Sequence, residues 1–404
     1  MNTILDGMRV VEGSAFVAAP LAGMTLAQLG ADVIRFDRLQ GGLDAERWPI
    51  TADGRSLFWA GLNKGKRSLA VDMTTPEGRE ILTRLICGPG PDAGIFLTNL
   101  RLRGWMSYEG LKQHRADLIM MAVLGDRHGG PQVDYTVNPA VGFPHATGPE
   151  GSLEPVGHAL PAWDCITGQQ AAMAIIAADR HRRKTGQGQL MELALKDTAL
   201  AMLGNLGIIA EASINGHDRP KMGNSLYGAY AQDFICQDGA RVMVVALTDR
   251  QWRNLKTATQ SDADMDQLAH RLGTDLGQEG MRFIHRHAIT ALLKPFFEER
   301  SLGEVATCLS AADVTWSQYR SFRQAVQEDP DCSLDNPMFA MVNQAGIGSY
   351  LTPGSPINFM GLERLPPAPA PTLGQHTQEI LTEIGFSNTE IAGLHDKKIV
   401  ASPR

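Results

Sequence analysis

No CxxC pair occurs in this chain, and its five cysteines, Cys87, Cys165, Cys236, Cys308 and Cys332, follow no regular spacing. Neither a zinc site nor a disulfide framework is therefore indicated, no metal is expected, and a reducing, cytoplasmic setting fits best. Long apolar runs are also missing. The longest, Leu193 to Ala210, is broken by Lys196, Asp197 and Asn205, and residues 1–11 place no basic stretch before an apolar one. Neither a membrane span nor a signal peptide is expected. Positive charge is in deficit, with a formal net charge of −7, which argues against a general nucleic-acid or acidic-membrane binder. Any anionic ligand must be held by a local basic cluster. No GxSxG elbow and no HExxH spacing occurs, and no two of His128, His145, His158 and His181 stand in an HxH spacing, so these four read as loop or surface histidines. The first strand runs into Glu12-Gly13-Ser14 without GxGxxG, which leaves a dinucleotide site or an ordinary βα turn as alternatives and demotes the former.

With 404 residues, 43% hydrophobic and 20% charged, the chain can bury a large core and should divide into two folding units. Strand-like runs at Met8 to Glu12, Asp32 to Phe36, Ser68 to Met73, Ala93 to Thr98 and Leu118 to Leu124 alternate with helical patterns. These include Ala18 to Leu29 and the helix opened by Thr75 and Pro76. Repeated βα order predicts a doubly wound, mostly parallel, Rossmann-like sheet covered on both faces. From Gly223 the character shifts to a smaller α+β unit. The predicted division is a large domain over 1–222, a small domain over 223–325, and a return segment over 326–404 that completes the large domain.

Two stretches carry candidate chemistry. Asn63-Lys64-Gly65-Lys66-Arg67-Ser68 and the pair Arg101 and Arg103 should lie at neighbouring strand ends. Phosphates want Arg forks and Lys point charges, so Lys64, Lys66, Arg67 and Arg103 are candidate ligands for a polyphosphorylated molecule; a solvated loop is the competing reading. Asp164 stands at the predicted start of a helix over Cys165 to Arg183. Read plainly, it is an N-cap. Read functionally, the helix dipole favours its ionised form, and only that form attacks a thioester carbonyl.

Taken in order, these pieces resemble one family over nearly the whole chain, the formyl-CoA transferase and carnitine-CoA transferase family, or class III CoA-transferases. The matching segments are Leu5 to Glu12, Leu26 to Ile34, Asn63 to Ser68, Arg103-Gly104, Asp164-Cys165-Ile166-Thr167-Gly168, Gly186 to Gln189, Gly223-Asn224 and Leu373 to Thr377. The resemblance implies an interlocked homodimer, an acyl-CoA substrate with no separate cofactor, and Asp164 as a nucleophile that forms a mixed anhydride and then an aspartyl-CoA thioester. Asp134 to Pro139, His158 to Asp164 and the region 329–354 are similar to a branch that moves CoA between the two carboxyls of one mesaconate. Intermolecular transfer to a free dicarboxylate stays open as an alternative, as does a nucleotide-binding module without catalysis. Racemisation is disfavoured because Gln132-Val133-Asp134 stands where the racemase branch has G-H-D.

Overall fold

A computed structural model describes residues 3–403. The chain divides into two compact units. The first takes the chain up to Val141, then His158–Ala210 and everything from Pro330; the second takes Gly142–Gly157 and Glu211–Asp329. Against the expected boundary at 222, the crossing falls after Ala210, and a short loop before the Asp164 helix joins the second unit.

The first unit is built on strands β1 (Arg9–Gly13), β2 (Asp32–Asp37), β3 (Arg67–Val71), β4 (Ile95–Thr98), β5 (Ile119–Leu124) and β6 (Leu190–Ala194). They hydrogen-bond in the order β3-β2-β1-β4-β5-β6, all parallel, and Val400–Ala401 adds an antiparallel edge to β3. This is the order of a doubly wound sheet whose direction of winding reverses between β1 and β4, where such folds open a crevice at the strands' carboxyl ends. The central strands are buried on both faces, so they read as unbroken apolar runs, as in Ile119–Leu124. Thr75 caps the Pro76–Ile86 helix by accepting from the Gly78 N–H. Ile81, Leu82 and Leu85 of that helix share a core with Ile380, Leu381, Ile391 and Leu394. The C-terminal helices Thr377–Glu383 and Asn388–Asp396 thus return to the sheet that the first residues began.

Three helices shape the candidate site: α1 (Ala18–Gln28), α2 (Asp134–Ala140) and α3 (Ala162–Thr185). α3 ends where Gly186 turns left-handed, with φ of 73°, a conformation glycine takes without steric cost. α1 and α3 pack closely. At Gly168 a Cβ atom would come within 2.7 Å of the Ala18 carbonyl oxygen, so only glycine permits this approach.

The second unit has a three-stranded antiparallel sheet, Tyr230–Ile235, Arg241–Ala246 and Thr315–Gln318, with the middle strand at its centre. Its own core includes Tyr230, Phe234, Trp252, Leu293 and Phe297.

Candidate active site

α3 begins at Ala162, earlier than the sequence pattern placed it, so Asp164 is the third residue of the helix and not its cap. The N-cap position falls to Pro161, which has no side-chain acceptor. The exposed N–H groups of the first turn find their acceptor elsewhere. Asp134, at the start of α2, accepts from the Trp163 N–H at 2.7 Å and from the Asp164 N–H at 3.3 Å through the same carboxylate oxygen. The Trp163 indole N–H donates to Asn138 one turn along α2, at 3.1 Å, and His158 Nε2 stands 3.4 Å from the other Asp134 oxygen. Asp134 is 1% exposed, and its burial is offset by the helix N-terminus it neutralises.

Because Asp134 does the capping, the Asp164 carboxylate is left free. Among the described residues, no side chain or backbone N–H donates to it. It is half-buried, and its pKa is pushed up to about 6, first by burial and then by the negative charge of Asp134, with Arg47 pulling the other way. The dipole argument from sequence alone pointed to a depressed value; desolvation and a like charge outweigh it. At pH 7 the ionised carboxylate still predominates, and it is more basic than an ordinary aspartate.

Beside α3 lies the turn between β1 and α1. Asn99, just past β4, holds Ala15 from both sides, accepting its N–H at 2.9 Å and donating to its carbonyl at 2.7 Å. The Phe16 N–H donates to Asp44 Oδ2 at 3.1 Å, while Asp44 Oδ1 accepts from buried Arg35 at 2.7 Å. Phe16 adopts φ of 69°, unusual for a bulky side chain and maintained by these contacts. A cavity of about 130 Å³ opens here, lined by Ser14, Asp37, Arg38, Gly42 and Leu100 among others. It lies at the reversal of winding predicted to hold ligands.

The basic residues singled out in the sequence take different places. The Lys66 ammonium is 3% exposed and donates to Glu12 Oε1 at 2.9 Å, the Pro20 carbonyl at 2.9 Å and Asn63 Oδ1 at 3.0 Å. An ammonium has three donors, so none is left for a phosphate. Burial pulls its pKa down to about 8 although Glu12 acts to raise it. Lys64, also buried and lowered by burial, donates to the Pro353 carbonyl at 3.1 Å. Arg67 is ion-paired with Asp32, Glu379 and Glu383, and against the lowering effect of burial Asp32 and Glu383 hold its pKa above the usual guanidinium value. In this structure Lys66 and Arg67 are occupied as internal ties: a charge entering a covered sheet must be neutralised there. Nor do the two basic groups adjoin. Arg67 reaches to Asp32 at the start of β2, whereas Arg103 follows the carboxyl end of β4 and is exposed. Asp134, Arg47 and the buried Arg35 do not stand out in the sequence: Asp134 and Arg47 act on Asp164 from far along the chain, and Arg35 joins near partners, Asp37 and Asp44, to the distant Ser14 and Asn63. Asp134 figures there only as the head of the Asp134 to Pro139 segment and as part of Gln132-Val133-Asp134, which lacks a histidine.

Among the described residues, no cluster of His, Cys, Asp and Glu could hold a metal ion, and no helix is long and apolar enough to cross a membrane. The chain is 60% identical to a 2-methylfumaryl-CoA isomerase of Chloroflexus aurantiacus, over 100% of this chain and 99% of that one. It is 28% identical to a succinyl-CoA:mesaconate CoA-transferase of Haloarcula hispanica, over 94% and 96% of the two. A solved CAIB/BAIF family protein from Brucella suis superposes with a TM-score of 0.77 at 27% identity, over 95% of this chain and 100% of that one. The model of CoA-transferase family III matches residues 5–377, and with these relatives it establishes that this enzyme belongs to CoA-transferase family III.

Proposed function

We propose that the protein moves coenzyme A between the two carboxyl groups of one mesaconate, converting 2-methylfumaryl-CoA to 3-methylfumaryl-CoA, with Asp164 as nucleophile. The observation that carries the substrate is the 60% identity, end to end, with the Chloroflexus aurantiacus isomerase.

The chemistry follows from a free, basic carboxylate. An Asp164 oxygen attacks the thioester carbonyl, the carbon–sulfur bond breaks, and CoA leaves as thiolate, giving a mixed anhydride. The thiolate then attacks the Asp164 carbonyl carbon, releasing mesaconate as a dicarboxylate and leaving aspartyl-CoA. Mesaconate turns, its other carboxylate attacks the aspartyl thioester and expels the thiolate to give a second mixed anhydride, and the thiolate then attacks the mesaconyl carbon of that anhydride, releasing the Asp164 carboxylate. Every atom is returned, so CoA arrives as part of the substrate and no separate cofactor takes part. Keeping both halves in one pocket replaces a second binding event by effective concentration. Water must be shut out, since the anhydride hydrolyses readily. The cleft beside Ser14 and Leu100 suits part of the CoA chain, with Arg38 at its wall and Arg103 beyond β4 as phosphate ligands. An interlocked homodimer accompanies this reading: Met173, Ile176, Leu200 and Leu206 remain exposed on the first unit, an apolar surface of the sort that a partner covers.

Incubation with 2-methylfumaryl-CoA and isotopically labelled free mesaconate tests the transfer. Product should form with no label in the thioester pool. Label entering at the rate of isomerisation would instead establish intermolecular transfer, the activity named for the Haloarcula hispanica relative. Asp164→Asn should lower turnover by roughly a thousandfold or more, and an adduct trapped on any other side chain during turnover would refute the nucleophile.

A further inference from the structure

The corner around Asp164 contains two carboxylates, Asp134 and Asp164, and an acid with two carboxylates of its own must enter it. While one end reacts, the other remains an anion and needs a cation. We propose that Arg47 receives that non-reacting carboxylate, its guanidinium presented for this purpose between the rings of Phe16 and Phe58.

The geometry singles out this residue. Its guanidinium carbon lies 5.2 Å from the Phe16 ring centre and 5.1 Å from that of Phe58, so aromatic faces attract and orient the fork without using its N–H donors. No carboxylate among the described residues pairs with it. Asp44, three residues earlier, is already occupied by Arg35 and by the Phe16 N–H. Most other arginines that the sequence places near the strands, including Arg9, Arg35 and Arg67, are ion-paired within the protein. Phe16 itself is fixed at positive φ, at the head of α1, and α1 lies against α3 at Gly168, one turn beyond Asp164. Arg47 is accordingly close enough to Asp164 for its charge to oppose the rise in that carboxyl's pKa. A strained, braced aromatic carrying an unpaired cation beside a free nucleophile is an arrangement for binding an anion.

This assignment deepens the proposed function and rests on a dicarboxylic acid as the substrate class, so its test must be separable from turnover. Titration calorimetry, with saturating CoA present, should compare mesaconate, succinate and the monocarboxylate crotonate on the wild type, Arg47→Ala and Arg47→Lys. The wild type should bind both dicarboxylates more tightly than crotonate. Arg47→Ala should lose that preference, with dicarboxylate affinity falling about tenfold or more and crotonate little affected, and Arg47→Lys should recover part of it. Unchanged affinity for free CoA reports that the variant is folded. Dicarboxylate binding retained in Arg47→Ala, or absent from the wild type, overturns the assignment. A wild type that binds dicarboxylates through Arg47 yet does not isomerise 2-methylfumaryl-CoA would strike the proposed function and leave the assignment standing.

Discussion

Two places in the first unit concentrate charge in a half-dry setting, and they treat it in opposite ways. At the start of β3, Lys66, Glu12, Arg35, Asp37 and Asp44 are each 3% exposed or less and are tied to one another. Around the start of α3, no group among the described residues donates to the Asp164 carboxylate, and no carboxylate among them pairs with Arg47. Charges that neutralise each other in the interior hold the backbone in place, and removing one leaves its partner desolvated and alone. Charges held apart keep their capacity to bind or attack. The first cluster shapes the turn that carries Phe16, and Phe16 supports Arg47, so the satisfied region positions the unsatisfied one.

The strongest way to break this contrast is Lys66→Ala. Glu12 would keep Ser14 as a donor at 2.6 Å but lose its nearer cation, leaving only Arg35 at 3.9 Å, and its Oε2 already has no partner among the described residues. Breaking a buried pair from one side costs about 3–5 kcal/mol, so a large fall in thermal midpoint is expected, by differential scanning calorimetry. CoA affinity of whatever remains folded should be unchanged; a stable variant with weakened CoA binding would return Lys66 to the ligand set.

How much of this could be read beforehand follows from the same contrast. The βα alternation, the Thr75-Pro76 helix start and the return of the tail were legible because each is written in neighbouring residues. The fate of the basic run was not. Lys66 meets Glu12 54 positions away and Arg67 meets Glu383 316 positions away, so the sequence displayed the cations without their anions. Asp164 stood out in sequence as a helix-start carboxylate, and so it is, yet the argument for its ionisation missed Asp134, which reaches the helix from 29 and 30 residues upstream. Gly168 showed in sequence only as part of the Asp164-to-Gly168 segment, and the reason for it, room for α1, lies in a residue 150 positions away. Gly168→Ala should therefore cost about 1–3 kcal/mol by overpacking, with activity falling further than stability because the Phe16 turn moves relative to Asp164. A denaturant midpoint within error of the wild type would remove the close approach of α1 as the reason for glycine.

The finest test separates the two aspartates that share the head of α3. Asp134→Asn keeps an oxygen to accept from the Trp163 and Asp164 N–H groups but removes the charge that helps to raise the Asp164 pKa. In the proposed mechanism only ionised Asp164 attacks, so kcat/KM should fall as pH drops through about 6 in the wild type. Without the neighbouring negative charge, ionisation becomes easier, and the acid limb should move to lower pH by roughly half to one unit. Burial, the larger cause, is untouched, so the limb should stay above that of an ordinary aspartate. The weaker cap should also cost about 1 kcal/mol. A limb that stays in place would mean that desolvation alone sets the nucleophile's basicity; one that moves upward would mean that Asp134 acts on Asp164 chiefly by ordering the helix, whose N–H groups then stabilise the anion more than the neighbouring charge opposes it.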